Sequence, residues 1–128
     1  MHRAILMMLL AVASSNAAAG WIVIGSSEKY IVYVDPATKN KADNMVRMWN
    51  MFDYKAGNSF EGKRLLSSTM QYEYDCKEQR ERLLFTSART QNMGKGDAVV
   101  TDPFPHEWRP LPPGSIIEAL WNYACRKR

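Results

Sequence analysis

The stretch MQYEYDCKEQRERLLF, Met70 to Phe85, decides the fold. It reads as a strand, a short polar turn and a second strand. Its first half alternates cleanly. Met70, Tyr72, Tyr74 and Cys76 fall on one face and Gln71, Glu73 and Asp75 on the other, because successive strand side chains point to opposite sides. Cys76 therefore points with the aromatics toward a core, and the carboxylates are expected on a solvated polar face.

The last stretch of the chain, PPGSIIEALWNYACRKR, supplies a matching surface. Pro112, Pro113 and Gly114 separate it from what precedes, and Ser115 with Glu118 three residues on forms a capping box. Ile117, Trp121 and Cys125 then recur at helical spacing, with Leu120 and Ala124 beside them, so the apolar stripe carries the second cysteine. A helix laid on the aromatic side of the sheet brings Cys76 and Cys125 together. The chain has no other cysteine, and the two lie 49 residues apart. A disulfide closing a loop of that length contributes roughly 4 kcal/mol in the chain-entropy picture.

A disulfide requires an oxidising compartment, and the N-terminus supplies the route. His2 and Arg3 form a short basic start, Ile5 to Val12 is an apolar run, and Ala17-Ala18-Ala19 offers a small-residue cleavage site before Gly20. This is the pattern of a secretory signal peptide, residues 1–19. The apolar run falls well below the ~20 residues that cross a bilayer. No cysteine stands at the cleavage region, so no lipid anchor is expected there. Residues 20–128 then form a single domain, exported to the periplasm or beyond the cell.

The remaining segments read as strands. Trp21 to Gly25 and Lys29 to Val34 are rich in β-branched and aromatic residues, and Ser26-Ser27 joins them as a turn. Asp35 to Asn44 reads as a polar connection, Met45 to Tyr54 as a strand, and Lys55 to Arg64 as a loop. Leu65 to Cys76 and Glu81 to Met93 form the hairpin quoted above. GKGD, from Gly94, is a turn, and Ala98 to Thr101 a last short strand. The proline-ruled stretch from Asp102 to Ser115 crosses to the helix in extended form. The expected fold is α+β: a mainly antiparallel sheet of about six strands with one C-terminal helix on one face.

Chemistry-bearing motifs are sparse. The only histidine after residue 19 is His106, in DPFPHE. Prolines on both sides of it prevent a helical ligand array, and a metal site needs three or four ligands, so an exposed loop histidine is expected and no metal or cofactor. Both thiols are assigned to the bridge, and no G-x-S-x-G accompanies the serines. Glu73 and Asp75 stand about 7 Å apart by strand rise, a spacing that evokes a glycosidase pair, but their place on a polar strand face argues against hydrolase activity. MGKGDAVV lacks the phosphate-loop spacing. Net charge is +4 with the basic residues scattered, which disfavours nucleic acid. Arg126 to Arg128 sit where a helix dipole favours cations. Arg80 and Arg82 share one strand face, which reads first as an ordinary solvated surface and alternatively as a modest basic patch for an acidic partner. Trp49, Trp108 and Trp121 are expected in the core, with Trp108, beside prolines, the binding anchor should it be exposed.

The chain resembles the surface-adhesin protein E family of small exported bacterial proteins. The residues that carry the resemblance are Trp21, YIVYVD ending at Asp35, VRMWNMFDY around Trp49, YDC at Cys76, MGKG through Gly94 and Gly96, and WRPLPPGS from Trp108 leading to a helix that ends at Cys125. The resemblance implies an antiparallel sheet with a packed C-terminal helix, and a non-catalytic role in binding host or extracellular-matrix proteins. The adhesin that gives the family its name is membrane-anchored, whereas this chain has no lipobox cysteine, so a soluble periplasmic or secreted protein is expected. Pairing through a sheet edge also offers a homodimer. The alternative is a periplasmic structural or inhibitor-like domain that docks an envelope enzyme through the loops at Lys55 to Arg64 and Thr101 to Pro113.

Overall fold

A computed structural model describes residues 20–103 and 105–126; the signal-peptide expectation and the last two basic residues lie outside the described residues. The elements are β1 (Ile22–Ser26), β2 (Tyr30–Ala42), β3 (Met45–Phe60), β4 (Lys63–Asp75), β5 (Arg80–Arg89), β6 (Ala98–Asp102), β7 (Arg109–Pro110) and a helix, α1 (Ile116–Cys125). The sheet has seven strands in the order β1-β2-β3-β4-β5-β6, with β7 also on β5. Every pairing is antiparallel. The expected α+β architecture is present, with one helix on one face.

The two segments read as the connection Asp35–Asn44 and the loop Lys55–Arg64 are instead mostly strand, with only Asp43–Asn44 and Glu61–Gly62 left as tight turns. They extend β2, β3 and β4 well beyond their apolar centres. The reason is a pair of irregularities, between Asp35 and Asn40 in the β2–β3 ladder and between Asp53 and Asn58 in the β3–β4 ladder. A bulge interrupts the two-residue period and bends the strand, so the polar arms no longer alternate as a strand should. At the first bulge, the Thr38 hydroxyl accepts the Trp49 amide at 3.0 Å. The strand expected to run to Met93 ends at Arg89, and Asn92–Gly94 forms a single 3-10 turn. Met93 and Gly94 there take φ of 60° and 71°, values that no strand accommodates.

The hydrophobic core lies between the sheet and α1. Val32 and Val34 from β2, Val46 and Met48 from β3, and Tyr72 and Tyr74 from β4 close over Leu120 and Ala124. Ser115 caps the helix by accepting the Glu118 amide at 3.1 Å, and Glu118 accepts the Gly114 amide at 3.0 Å, so the capping box closes one residue earlier than its usual form. Cys76 and Cys125 are bonded, with Cα atoms 5.5 Å apart. A second tie sits beside the disulfide: the Trp121 indole donates to the Asp75 carbonyl at 3.0 Å.

The outer edge of β5 is covered piecewise. β6 pairs with Thr86 to Arg89, β7 pairs with Arg80 and Glu81, and between them the His106 amide donates to the Leu83 carbonyl at 2.7 Å. Short pieces in place of one long strand leave little edge for a further chain to join.

Candidate functional site

The side of the sheet away from α1 carries the candidate site. Cross-strand pairing aligns Asp35, Trp49, Gln71 and Phe85 in one row and Arg47, Glu73 and Arg82 in the next. Glu73 is not solvated, as its strand alternation suggested. It is 6% exposed and is held by Arg47 at 3.2 Å and Arg82 at 2.7 Å. Asp75 is likewise buried and is bound by Arg80 at 2.9 Å. The polar alternation is real, but long guanidinium side chains lie across the carboxylates and take them out of water.

Asp75 has a second task. Its Oδ1 accepts the amides of Lys77 and Glu78, which shapes the turn between β4 and β5. Burial alone would push its carboxyl up; the amide of Glu78, the Arg80 guanidinium and the amide of Lys77 outweigh that and hold it below its usual value. Hydrogen bonds to the charged form favour that form.

Arg80, Arg82 and Trp108, which the sequence suggested separately, meet here. The two guanidinium carbons lie 4.6 and 4.7 Å from the centre of the Trp108 ring, within cation–π range. Trp108 is half-buried. β7 places it: the pairing of Arg109 with Glu81 sends Arg109 to the helix side, and alternation sends the preceding Trp108 to the open side. Of the three tryptophans expected in the core, only Trp121 packs against it. Trp49 lies on the open side, with its ring centre 5.5 Å from that of Phe85. Trp21, Trp49 and Phe85 line a shallow cavity of about 410 Å³.

The turn at Asn92–Gly94 folds back over another part of this face. The Met93 amide donates to Asp53 Oδ1 at 2.8 Å and the Gly94 amide to Ser67 Oγ at 2.9 Å. A Cβ on Gly94 would come within 3.0 Å of Thr69, so the close seat requires glycine. Met51 beneath is fully buried.

Three features escaped the sequence reading. The first is the Glu73–Arg47–Arg82 ladder, whose ion pairing leaves no periodic signal. The second is Glu81, 1% exposed on the helix side and bound by Arg109 at 2.9 Å across the crossing segment. Arg109, in turn, is held above its ordinary value by that hydrogen bond and charge. The third is a gathering of cations near the C-terminal end of α1, described below. His106 is exposed, as expected, and its Nε2 lies 2.7 Å from Asp102 Oδ2. Among the described residues no group of three or more His, Cys, Asp or Glu could hold a metal ion. No helix among them is long and apolar enough to cross a membrane.

An antiparallel sheet with a disulfide-bolted helix on one face and aromatic and arginine side chains on the other defines a small α+β domain. The chain belongs to the surface-adhesin protein E family, whose model matches residues 21–126. Among solved structures it is similar to Haemophilus influenzae protein E. One crystal form aligns with a TM-score of 0.59 at 14% identity, covering 84% of this chain and 96% of that one. Another structure of that protein aligns with a TM-score of 0.56 at 18% identity, covering 83% and 81%. At these identities the likeness is one of fold. No curated protein matches the chain.

Proposed function

We propose that this is an exported, non-catalytic domain that binds another protein, such as a host or extracellular-matrix protein, through the open face of its sheet. The observation that carries the reading is the meeting of Arg80, Arg82 and Trp108 on that face. Trp and Arg are the side chains most enriched at energetic centres of interfaces. Here the guanidiniums are already fixed by Asp75 and Glu73, so little side-chain freedom is lost on binding. The aromatic cavity of Trp21, Trp49 and Phe85 extends the same surface.

Export is supported by the disulfide, which needs an oxidising compartment. With cleavage after Ala19, N-terminal sequencing of the exported protein is expected to begin at Gly20. The binding test is capture by a panel of immobilised matrix proteins at physiological salt, with a periplasmic extract as the competing source of partners. Retention by a matrix protein that falls at least tenfold with Trp108→Ala is expected. Undiminished retention by the variant would move the site elsewhere, and selective capture of one envelope enzyme would replace adhesion with docking in the periplasm.

A further inference from the structure

On the opposite side of the molecule, a groove of about 730 Å³ runs between the β2 arm and the last turn of α1. Ligand sites commonly span roughly 300–1,000 Å³. Three cations line it: Lys39 and Lys41 from β2 and Arg126 from the helix end; no carboxylate is among its lining residues. Lys39 is fixed in place. Its Nζ donates to the Tyr123 carbonyl at 3.2 Å and stands 5.6 Å from the Tyr123 ring centre, while the Arg126 guanidinium lies 4.1 Å from the same centre. The helix C-terminus accounts for one or two cations; it does not account for Lys41, which reaches the groove from another element and has no ion pair among the described residues. Burial, and then repulsion from Arg126 and Lys41, lowers Lys39 below the ordinary lysine value. Like charges are therefore gathered with no carboxylate among the described lining residues, an arrangement that an anion relieves. The apolar part of the floor is Trp121 and the Cys76–Cys125 disulfide beside the buried Val46, and Asn44 and Asn122 also line the groove.

We propose that this groove binds an anionic amphiphile, with its phosphate or carboxylate head on Lys39, Lys41 and Arg126 and one hydrocarbon chain along Trp121 and the disulfide. Charge complementarity selects the head, and the apolar floor selects a tail over a free inorganic anion. The site is separate from the Trp108 face, so neither reading depends on the other.

The test uses the purified, oxidised protein with decyl phosphate, decyl maltoside and inorganic phosphate, followed by calorimetry and by Trp121 amide and indole shifts in NMR. Decyl phosphate is expected to bind at one site, at least tenfold more tightly than either other compound. Lys41→Ala and Arg126→Ala, both at exposed positions, should each weaken it fivefold or more with the thermal midpoint unchanged. Trp108→Ala should leave it unaltered. A parallel arm uses vesicles with and without phosphatidylglycerol. Binding to the anionic vesicles that is lost with Lys41→Glu identifies membrane lipid as the source of the head group, and binding of soluble decyl phosphate alone identifies a free amphiphile. Equal affinity for inorganic phosphate or for the neutral maltoside, or no binding in either arm, overturns the proposal.

Discussion

The two faces of this sheet are built from the same strands and held by opposite means. On the helix face, Val32, Val34, Met48, Tyr72 and Tyr74 close over Leu120, and a covalent bond fixes the cover. On the open face, Glu73 and Asp75 are buried by arginines that lie flat over them. The first arrangement gains its stability from apolar burial, a term of roughly 25 cal/mol per Å² that does not depend on direction. The second depends on geometry and ionisation, and each pair yields little because its arginine still touches water. The contrast separates a packed, covalently fixed face from one held by partly exposed ion pairs.

Breaking the disulfide should have the largest effect. Cys125→Ser, or reduction, frees a loop of 49 residues, and a loss of roughly 4 kcal/mol is expected in urea unfolding. The Trp121 indole hydrogen bond and core should then be the first features to lose amide protection, ahead of the open-face rows. Next comes Arg109→Ala, which leaves the buried Glu81 carboxylate without its partner. A cost of roughly 1–2 kcal/mol is expected, since Glu81 is buried but Arg109 is largely exposed, and Glu81→Gln in the same background should recover part of it. A double-mutant cycle measures both.

The faces should also separate by pH. Asp75 is held below its ordinary value of 3.8, so the folded protein binds fewer protons than the unfolded chain as acid is added. The stability this gives is present above pH 3.8 and is lost as the pH falls through the folded value. Asp75→Asn keeps an acceptor for the turn amides, costs about 1 kcal/mol at neutral pH with Arg80 partly exposed, and should flatten that acid limb. On the helix face, burial, reinforced by Glu81, pushes the Tyr72 phenol up to about 12 from 10.0. The unfolded chain therefore loses this proton first. The stability is whole below pH 10.0 and declines as the pH rises through about 12. Denaturant melts across both limbs check the assignment, with Tyr72→Phe expected to remove only its own share of the alkaline limb, because burial also pushes the neighbouring Tyr74 well up.

The smallest effect on stability is expected from Trp108→Ala. Two cation–π contacts at a partly exposed site amount to about 1 kcal/mol. Its effect on partner capture should far exceed its effect on the melting curve. A large loss of stability from this variant would mean that the open face is structural after all.

The hairpin around Cys76, the capped helix and the disulfide were legible because each rests on local periodicity or on simple pairing: two cysteines permit one bridge. Arg80, Arg82 and Trp108 were legible as candidates, since Arg80 and Arg82 share a strand face and Trp108 stands out beside prolines. Their meeting was not, because it depends on Arg109 pairing with Glu81 across 28 residues of chain. The polar arms of β2 and β3 were missed for a related reason. Bulges at Asp35–Asn40 and Asp53–Asn58 erase the alternation that marks a strand.

What the sequence by itself determined is therefore the local pattern: which face of the Met70–Cys76 strand is apolar, where the helix starts, and that the two sulfurs must find one another. The tertiary structure alone decided which charges lie under water and which are shielded from it. It buried Glu73, Asp75 and Glu81, stacked two arginines on Trp108, and gathered Lys39, Lys41 and Arg126 around one groove. The physical reason is range. Apolar periodicity is written between near neighbours in the chain, whereas the cost of a charge depends on every group that the fold brings within a few ångströms of it.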